Sequence, residues 1–123
     1  MSNNPLNLAL RFLLELSAIG AFGIWGHSLS EGGARFLPAF LFPLLFALLW
    51  GVFAVRNDPS RSGKTVVPTP GPARLLLELA LFTTAAWMLF NLGYSLPAWI
   101  FSGLVLAHYI SSSDRLAWLM KQR

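Results

Sequence analysis

The sequence predicts an all-α, polytopic membrane protein: a four-transmembrane-helix bundle made of two parallel-related helical hairpins. Three observations predict it. Charged residues make up 11% of the 123-residue chain and hydrophobic residues 55%, whereas about a quarter of an ordinary soluble domain is charged. So few charges cannot cover a water-facing surface. Charge is also kept out of long runs: residues 12–30 hold only Glu15, and residues 36–55 and 79–113 hold none. A crossing needs about 20 apolar residues rising about 1.5 Å each, so four crossings fit. The third observation is a pair of matching halves. LRFLLEL at 10–16 is answered by ARLLLEL at 73–79, and Leu37-Pro38-Ala39-Phe40 by Leu96-Pro97-Ala98-Trp99. A unit of two crossings returns the chain to the side it entered from, so duplicated hairpins are related by an axis along the membrane normal.

The first helix is expected over about residues 5–27, with Asn4 as its cap and Pro5 at the first helical position, where the missing N–H is harmless. No Lys or Arg precedes Arg11, and Arg11 and Glu15 interrupt the apolar run, so the segment reads as a retained helix rather than a cleaved leader. Ser17, Gly20, Gly23 and Gly26 recur at every third position, a small-residue face suited to close helix packing. The second helix is expected over 36–55, ending before Arg56-Asn57-Asp58-Pro59. Residues 57–72, NDPSRSGKTVVPTPGP, hold four prolines and two glycines and mark a polar loop at 56–71. The third helix is expected over 72–92, after which Gly93-Tyr94-Ser95 turns the chain and Pro97 opens a fourth over 97–113. Asn91, Thr83 and Thr84 on the third helix read as hydrogen-bonding within or between helices. The tail 114–123, DRLAWLMKQR, mixes charge with apolar positions and reads as interfacial. Residues 1–123 form one membrane domain in this reading.

Of the nine Lys and Arg residues, Arg11, Arg56, Arg61, Lys64, Arg74, Arg115, Lys121 and Arg123 fall on one side of the expected spans and only Arg35 on the other. Such a bias places both termini and the central loop in the cytoplasm, with Trp25, Tyr94 and Trp99 near the outer interface and Trp118 near the inner one. The formal charge of +4 is then a topology signal, and no nucleic-acid partner is expected, because no folded basic surface is available. The absence of cysteine excludes disulfides, thiolate nucleophiles and cysteine metal sites.

Arg11 and Glu15, and likewise Arg74 and Glu78, are four residues apart and share a helix face. Arginine on the N-terminal side of glutamate is the less favourable order for an exposed pair, given the helix dipole. The order suits entry from the cytoplasm, with the guanidinium reaching back to the headgroups and the carboxylate about 5 Å deeper. Glu15 then lies about 14 Å, and Glu78 about 9 Å, along its helix, while His108 returns to within about 8 Å of the inner end of the fourth. Ionisable groups at such depths must be paired, turned inward or neutralised. The candidate ion- or substrate-binding residues are therefore Arg11, Glu15, Arg74, Glu78 and His108. One reading makes the glutamates a proton or cation site in a small ion-coupled transporter or channel-like protein. The other is an electrostatic clasp, with Arg11 paired to one glutamate and Arg74 to the other, in a non-catalytic scaffold or interaction subunit. No Ser-His-Asp set or phosphate-binding glycine loop can be assembled, so no catalytic residues, metal or cofactor are expected. An intramembrane enzyme acting on lipid would have only His108 and the glutamates. The expected partners are membrane lipids and either further copies of the chain or a partner membrane helix.

LRFLLEL at 10–16, LLWGVF at 48–53 and PARLLLEL at 72–79 together resemble the YrdB-like family of bacterial integral membrane proteins, a domain of unknown function. The resemblance spans roughly residues 6–110 and leaves the central loop and the basic tail uncovered. It implies a small bacterial inner-membrane protein with four crossings and carries over no catalytic residues.

Overall fold

The computed structural model describes residues 5–29, 32–54 and 67–122. These residues form five α-helices, a short 3-10 turn at Gly32–Arg35 and two strands of two residues each. The helices are α1 (Pro5–Ser28), α2 (Phe36–Val52), α3 (Gly71–Asn91), α4 (Ser95–Ser111) and α5 (Ser113–Lys121). Strand β1 (Phe53–Ala54) pairs in parallel with β2 (Val67–Pro68), in the register Phe53 with Val67 and Ala54 with Pro68. The cap residue Asn4, the charges Arg56, Asp58, Arg61 and Lys64 of the central loop, and Arg123 lie outside the described residues.

Three segments, Pro5–Ser28, Gly32–Val52 and Gly71–Asn91, are long and apolar enough to cross a bilayer, and the apolar α4 is 17 residues long. The second helix stops at Val52, not residue 55, because Phe53 and Ala54 leave the helical path to pair with β2. Pro97 is the third residue of α4 rather than its first, and Pro38 is the third of α2. A proline in the first turn removes only a donor that has no intrahelical acceptor.

The core lies where α1, α2, α3 and α4 meet. Leu14, Ala18, Ala21 and Phe22 of α1 pack with Phe46 of α2, with Leu81, Phe82, Ala85 and Met88 of α3, and with Phe101 and Tyr109 of α4. Aromatic rings run through it edge to face: Phe22 on Phe46 at 5.1 Å, Trp50 on Phe82 at 5.1 Å and Phe82 on Phe101 at 5.9 Å. Among the described residues, half of the small-residue face of α1 is packed against another helix. Gly23 and Gly26 admit Pro43 and Pro38 of α2, and a Cβ on Gly26 would overlap the Pro38 carbonyl. Among the described residues nothing comes within 4 Å of a Cβ placed on Gly20, and Ser17 bonds back to the Leu13 carbonyl at 2.8 Å.

At one end of the molecule Trp25 donates its indole N–H to Asn91 Oδ1 at 3.0 Å, tying α1 to α3. Thr84 instead bonds to the Ala80 carbonyl one turn back, at 2.7 Å. Gly93, at φ 88°, closes α3 there, with Tyr94 N–H on the Leu89 carbonyl at 2.9 Å and Gly93 N–H on Phe90 at 3.0 Å. That left-handed residue satisfies carbonyls that the helix end would otherwise orphan. At the other end gather the start of α1, the end of α2, the start of α3, the end of α4 and all of α5. Gly71 N–H donates to the Gln122 carbonyl at 2.8 Å, and a Cβ on Gly71 would overlap the Leu119 backbone. Gly71→Ala is therefore expected to destabilise by about 1–3 kcal/mol through overpacking. Thermal unfolding in detergent checks this, and an unchanged midpoint would show that α5 does not dock here.

Candidate functional site

The buried charges converge on one carboxylate. Glu78, on the second turn of α3, is 0% exposed. Arg11 of α1 forks onto it, Nη1 to Oε1 at 3.3 Å and Nη2 to Oε2 at 3.0 Å. Arg115 of α5 forks onto it as well, Nη1 to Oε1 at 3.1 Å and Nη2 to Oε2 at 2.9 Å. Arg74, one turn earlier on α3, gives its Nε–H to Oε2 at 2.8 Å, and the Tyr109 hydroxyl of α4 donates to Oε1 at 2.7 Å. Each oxygen thus accepts three hydrogen bonds, and four helices meet at one side chain. Forked guanidinium–carboxylate pairs are the strongest class of charge-assisted hydrogen bond. In a desolvated site they are needed, because an uncompensated buried charge is expensive.

The arginines have further work. Arg74 Nη1 donates to the Trp50 and Phe53 carbonyls, both at 2.6 Å, so a cation closes the C-terminal end of α2, where orphan carbonyls and the helix dipole favour it. The Trp50 indole lies over two guanidiniums, 5.0 Å from Arg11 Cζ and 4.6 Å from Arg74 Cζ to its centroid. Cation–π attraction is worth more when desolvated.

The expected pairing of one arginine with each glutamate is present, Arg11 with Glu15 and Arg74 with Glu78, but it is uneven. Arg11 and Arg74 both bond Glu78 closely, whereas Glu15 has Arg11 Nε at 3.9 Å and the Trp50 side chain as a hydrogen-bond partner, with its own side chain 21% exposed. The cause is geometric: α5 brings a third guanidinium to the Glu78 half, while Arg74 Nη1 is held by α2. His108 of α4 belongs to an adjoining polar seam. Its Nδ1 lies 3.0 Å from Asn7 Oδ1 on α1, and Asn7 Nδ2 donates to Ser112 Oγ at 2.6 Å. Among the candidates, then, Arg11, Arg74 and Glu78 share one node, Glu15 stands at its edge and His108 stands beside it.

Arg115, Tyr109, Asn7 and Ser112 carry no candidate role in the sequence reading. Arg115 and Leu119 are four residues apart on an amphipathic segment and are the two buried residues of α5, a spacing that marks an inward face. Tyr109 sits inside a charge-free run where nothing separates it from core aromatics. A cavity of about 310 Å³ between α3 and α4 is lined by Phe82, Thr83, Phe101 and Tyr109 among others. A groove of about 440 Å³ between α1 and α4 is lined by Leu13, Ser17, Gly20, Ile100 and Leu104 among others. Neither is lined by Glu15, Glu78 or any arginine. No group of three or more His, Asp or Glu residues suited to a metal ion occurs among the described residues.

Fold and site define an all-helical protein whose apolar helices fit a bilayer and whose buried ions meet in one node. The chain belongs to the family described as protein of unknown function (DUF2568), whose model matches residues 9–106. It is 38% identical over 119 residues to a protein of Bacillus subtilis (strain 168) named uncharacterized protein YrdB, covering 97% of each chain. No solved structure matches.

Proposed function

We propose that the protein is a four-crossing bacterial inner-membrane protein, with both termini cytoplasmic, that acts as a non-catalytic scaffold or interaction subunit. The node around Glu78 is its internal clasp. The observation that carries this reading is saturation of the carboxylate: three guanidiniums and a phenol occupy both oxygens of a side chain with no exposed surface. A transported cation would have to displace three fixed cations to bind there, and like-charge repulsion in a desolvated site opposes it.

The arrangement of crossings as two parallel-related hairpins is supported by the paired motifs. Arg11 and Arg74 occupy matching positions and reach the same carboxylate, and Pro38 and Pro97 take the same third position in α2 and α4. The inward orientation rests on the basic residues of the node end and tail. Lipid and a partner membrane helix or second copy supply the remaining contacts, through the faces that the chain leaves uncovered.

Proteoliposomes test the reading. Wild-type protein is expected to raise proton and monovalent-cation flux no further than protein-free vesicles do. A flux that Glu15→Gln or Glu78→Gln abolishes, in a variant that remains folded, would instead establish an ion-coupled transporter or channel-like protein.

A further inference from the structure

The cavity of about 310 Å³ between α3 and α4 combines three aromatic rings, Phe82, Phe101 and Tyr109, with the hydroxyls of Thr83 and Ser102, and no ionic side chain lines it. Phe82 meets the other two rings edge to face, at 5.9 Å and 6.2 Å. Leu106, which also lines it, is 63% exposed, so the cavity opens to the surroundings. Its hydroxyls are not equivalent. Ser17, Thr84, Ser102 and Ser111 each donate to the carbonyl four residues back, the common resort of a helical hydroxyl that faces hydrocarbon. Tyr109 donates to Glu78. Thr83 makes no hydrogen bond among the described residues, and it stands about 18 Å along α3, near the middle of a hydrocarbon core about 30 Å thick.

That depth limits what can meet Thr83. A phospholipid keeps its polar atoms at the headgroups and offers only methylene groups there, and an ion would find no opposite charge in the lining. The partner must carry an oxygen into hydrocarbon without carrying charge. We propose that this cavity binds a neutral molecule dissolved in the bilayer, a six-membered ring bearing a hydroxyl or carbonyl oxygen, with its ring on Phe82, Phe101 and Tyr109 and its oxygen on the Thr83 hydroxyl. An apolar pocket of this size with a few convergent polar groups has the form of a small-molecule site, and ring-on-ring packing adds to what area burial alone provides. Thr83 can donate to the ligand oxygen. Ser102 Oγ, whose proton goes to Ala98, keeps lone pairs for a ligand hydroxyl. The inference rests on the bilayer placement of α3 proposed above and not on the scaffold role.

Fluorine NMR on the whole chain in phospholipid nanodiscs tests it with three probes: para-fluorophenol, fluorobenzene, which lacks the hydroxyl, and fluorohexane, which lacks the ring. Para-fluorophenol is expected to saturate a site on the wild-type protein about fivefold more tightly than fluorobenzene, the worth of one hydrogen bond, and fluorohexane more weakly than either. In Thr83→Val, which keeps the shape and removes the hydroxyl, the phenol and fluorobenzene are expected to bind alike. Ala86→Phe, which fills the cavity, is expected to remove saturable binding of both. Equal affinities for the phenol and fluorobenzene in the wild type overturn the proposal, as does a preference for the phenol that survives Thr83→Val. Fluorohexane binding as tightly as fluorobenzene overturns it too, since the cavity is then a cleft for acyl chains. A chain folded and monodisperse in plain buffer would overturn the bilayer placement, and the proposal with it, whereas the flux measurements bear on the scaffold role alone.

Discussion

Glu78→Gln is expected to destabilise the protein by about 3–5 kcal/mol, the loss that follows when one partner of a buried ion pair is removed. The variant leaves Arg11, Arg74 and Arg115 enclosed, at 4%, 1% and 2% exposure, without the anion that gathers them. A glutamine also turns two donors toward guanidiniums that can accept nothing. Thermal unfolding in detergent measures the effect, and Trp50 offers a local fluorescence signal because its ring covers two of the arginines. Glu15→Gln, at the half-open edge of the same cluster, is expected to change stability by less than about 1 kcal/mol. Removing a cation together with the anion should recover part of the loss, since residues of one network are not additive. Glu78→Gln combined with Arg115→Gln therefore unfolds at a higher temperature than Glu78→Gln alone. Equal midpoints for wild type and Glu78→Gln would mean that the helices are held by something else.

Phe82→Ala is expected to be as damaging, by about 3–5 kcal/mol, the usual loss on truncating a buried phenylalanine. Phe82 is 2% exposed, and its ring meets Trp50 at 5.1 Å, Phe101 at 5.9 Å and Tyr109 at 6.2 Å. It is thus the apolar floor beneath the indole that covers the arginines and beneath the phenol that donates to Glu78. Deleting it removes packing and loosens two polar partners at once. Phe82→Leu, which keeps much of the volume, is expected to fall between the variant and wild type in a thermal or dodecyl-sulfate titration. If Phe82→Ala unfolds with wild type, the surrounding side chains collapse freely and this part of the core is loosely packed.

The helices were legible because their signal is the absence of charge over many residues, which no local contact overrides. Their ends were less so. The end of α2 depends on a strand pairing between residues fourteen positions apart, Phe53 and Val67, and such pairing leaves no trace in hydropathy. The node was half legible. Ion pairs inside apolar runs identify Arg11, Glu15, Arg74 and Glu78 as inward-facing candidates, but spacing cannot say which carboxylate collects the arginines. Sequence symmetry makes Glu15 and Glu78 equivalent, and the asymmetric tail breaks the tie. The segment that carries Arg115 folds as α5 against the start of α3 and serves only one half of the chain. Tyr109 and Asn7 were invisible for a different reason: a single polar group at a helix end or among aromatics becomes part of a site only through what a distant helix places opposite it.

The grip of Arg74 on the last carbonyls of α2 has a consequence for how this architecture tolerates change. Because one half of the chain grasps the terminus of the other directly, and β1 with β2 adds a second stitch beside it, noncovalent contacts among the described residues hold the two halves in register. A substitution at Arg74 is thus expected to slacken the fit of one half against the other as well as the cluster around Glu78.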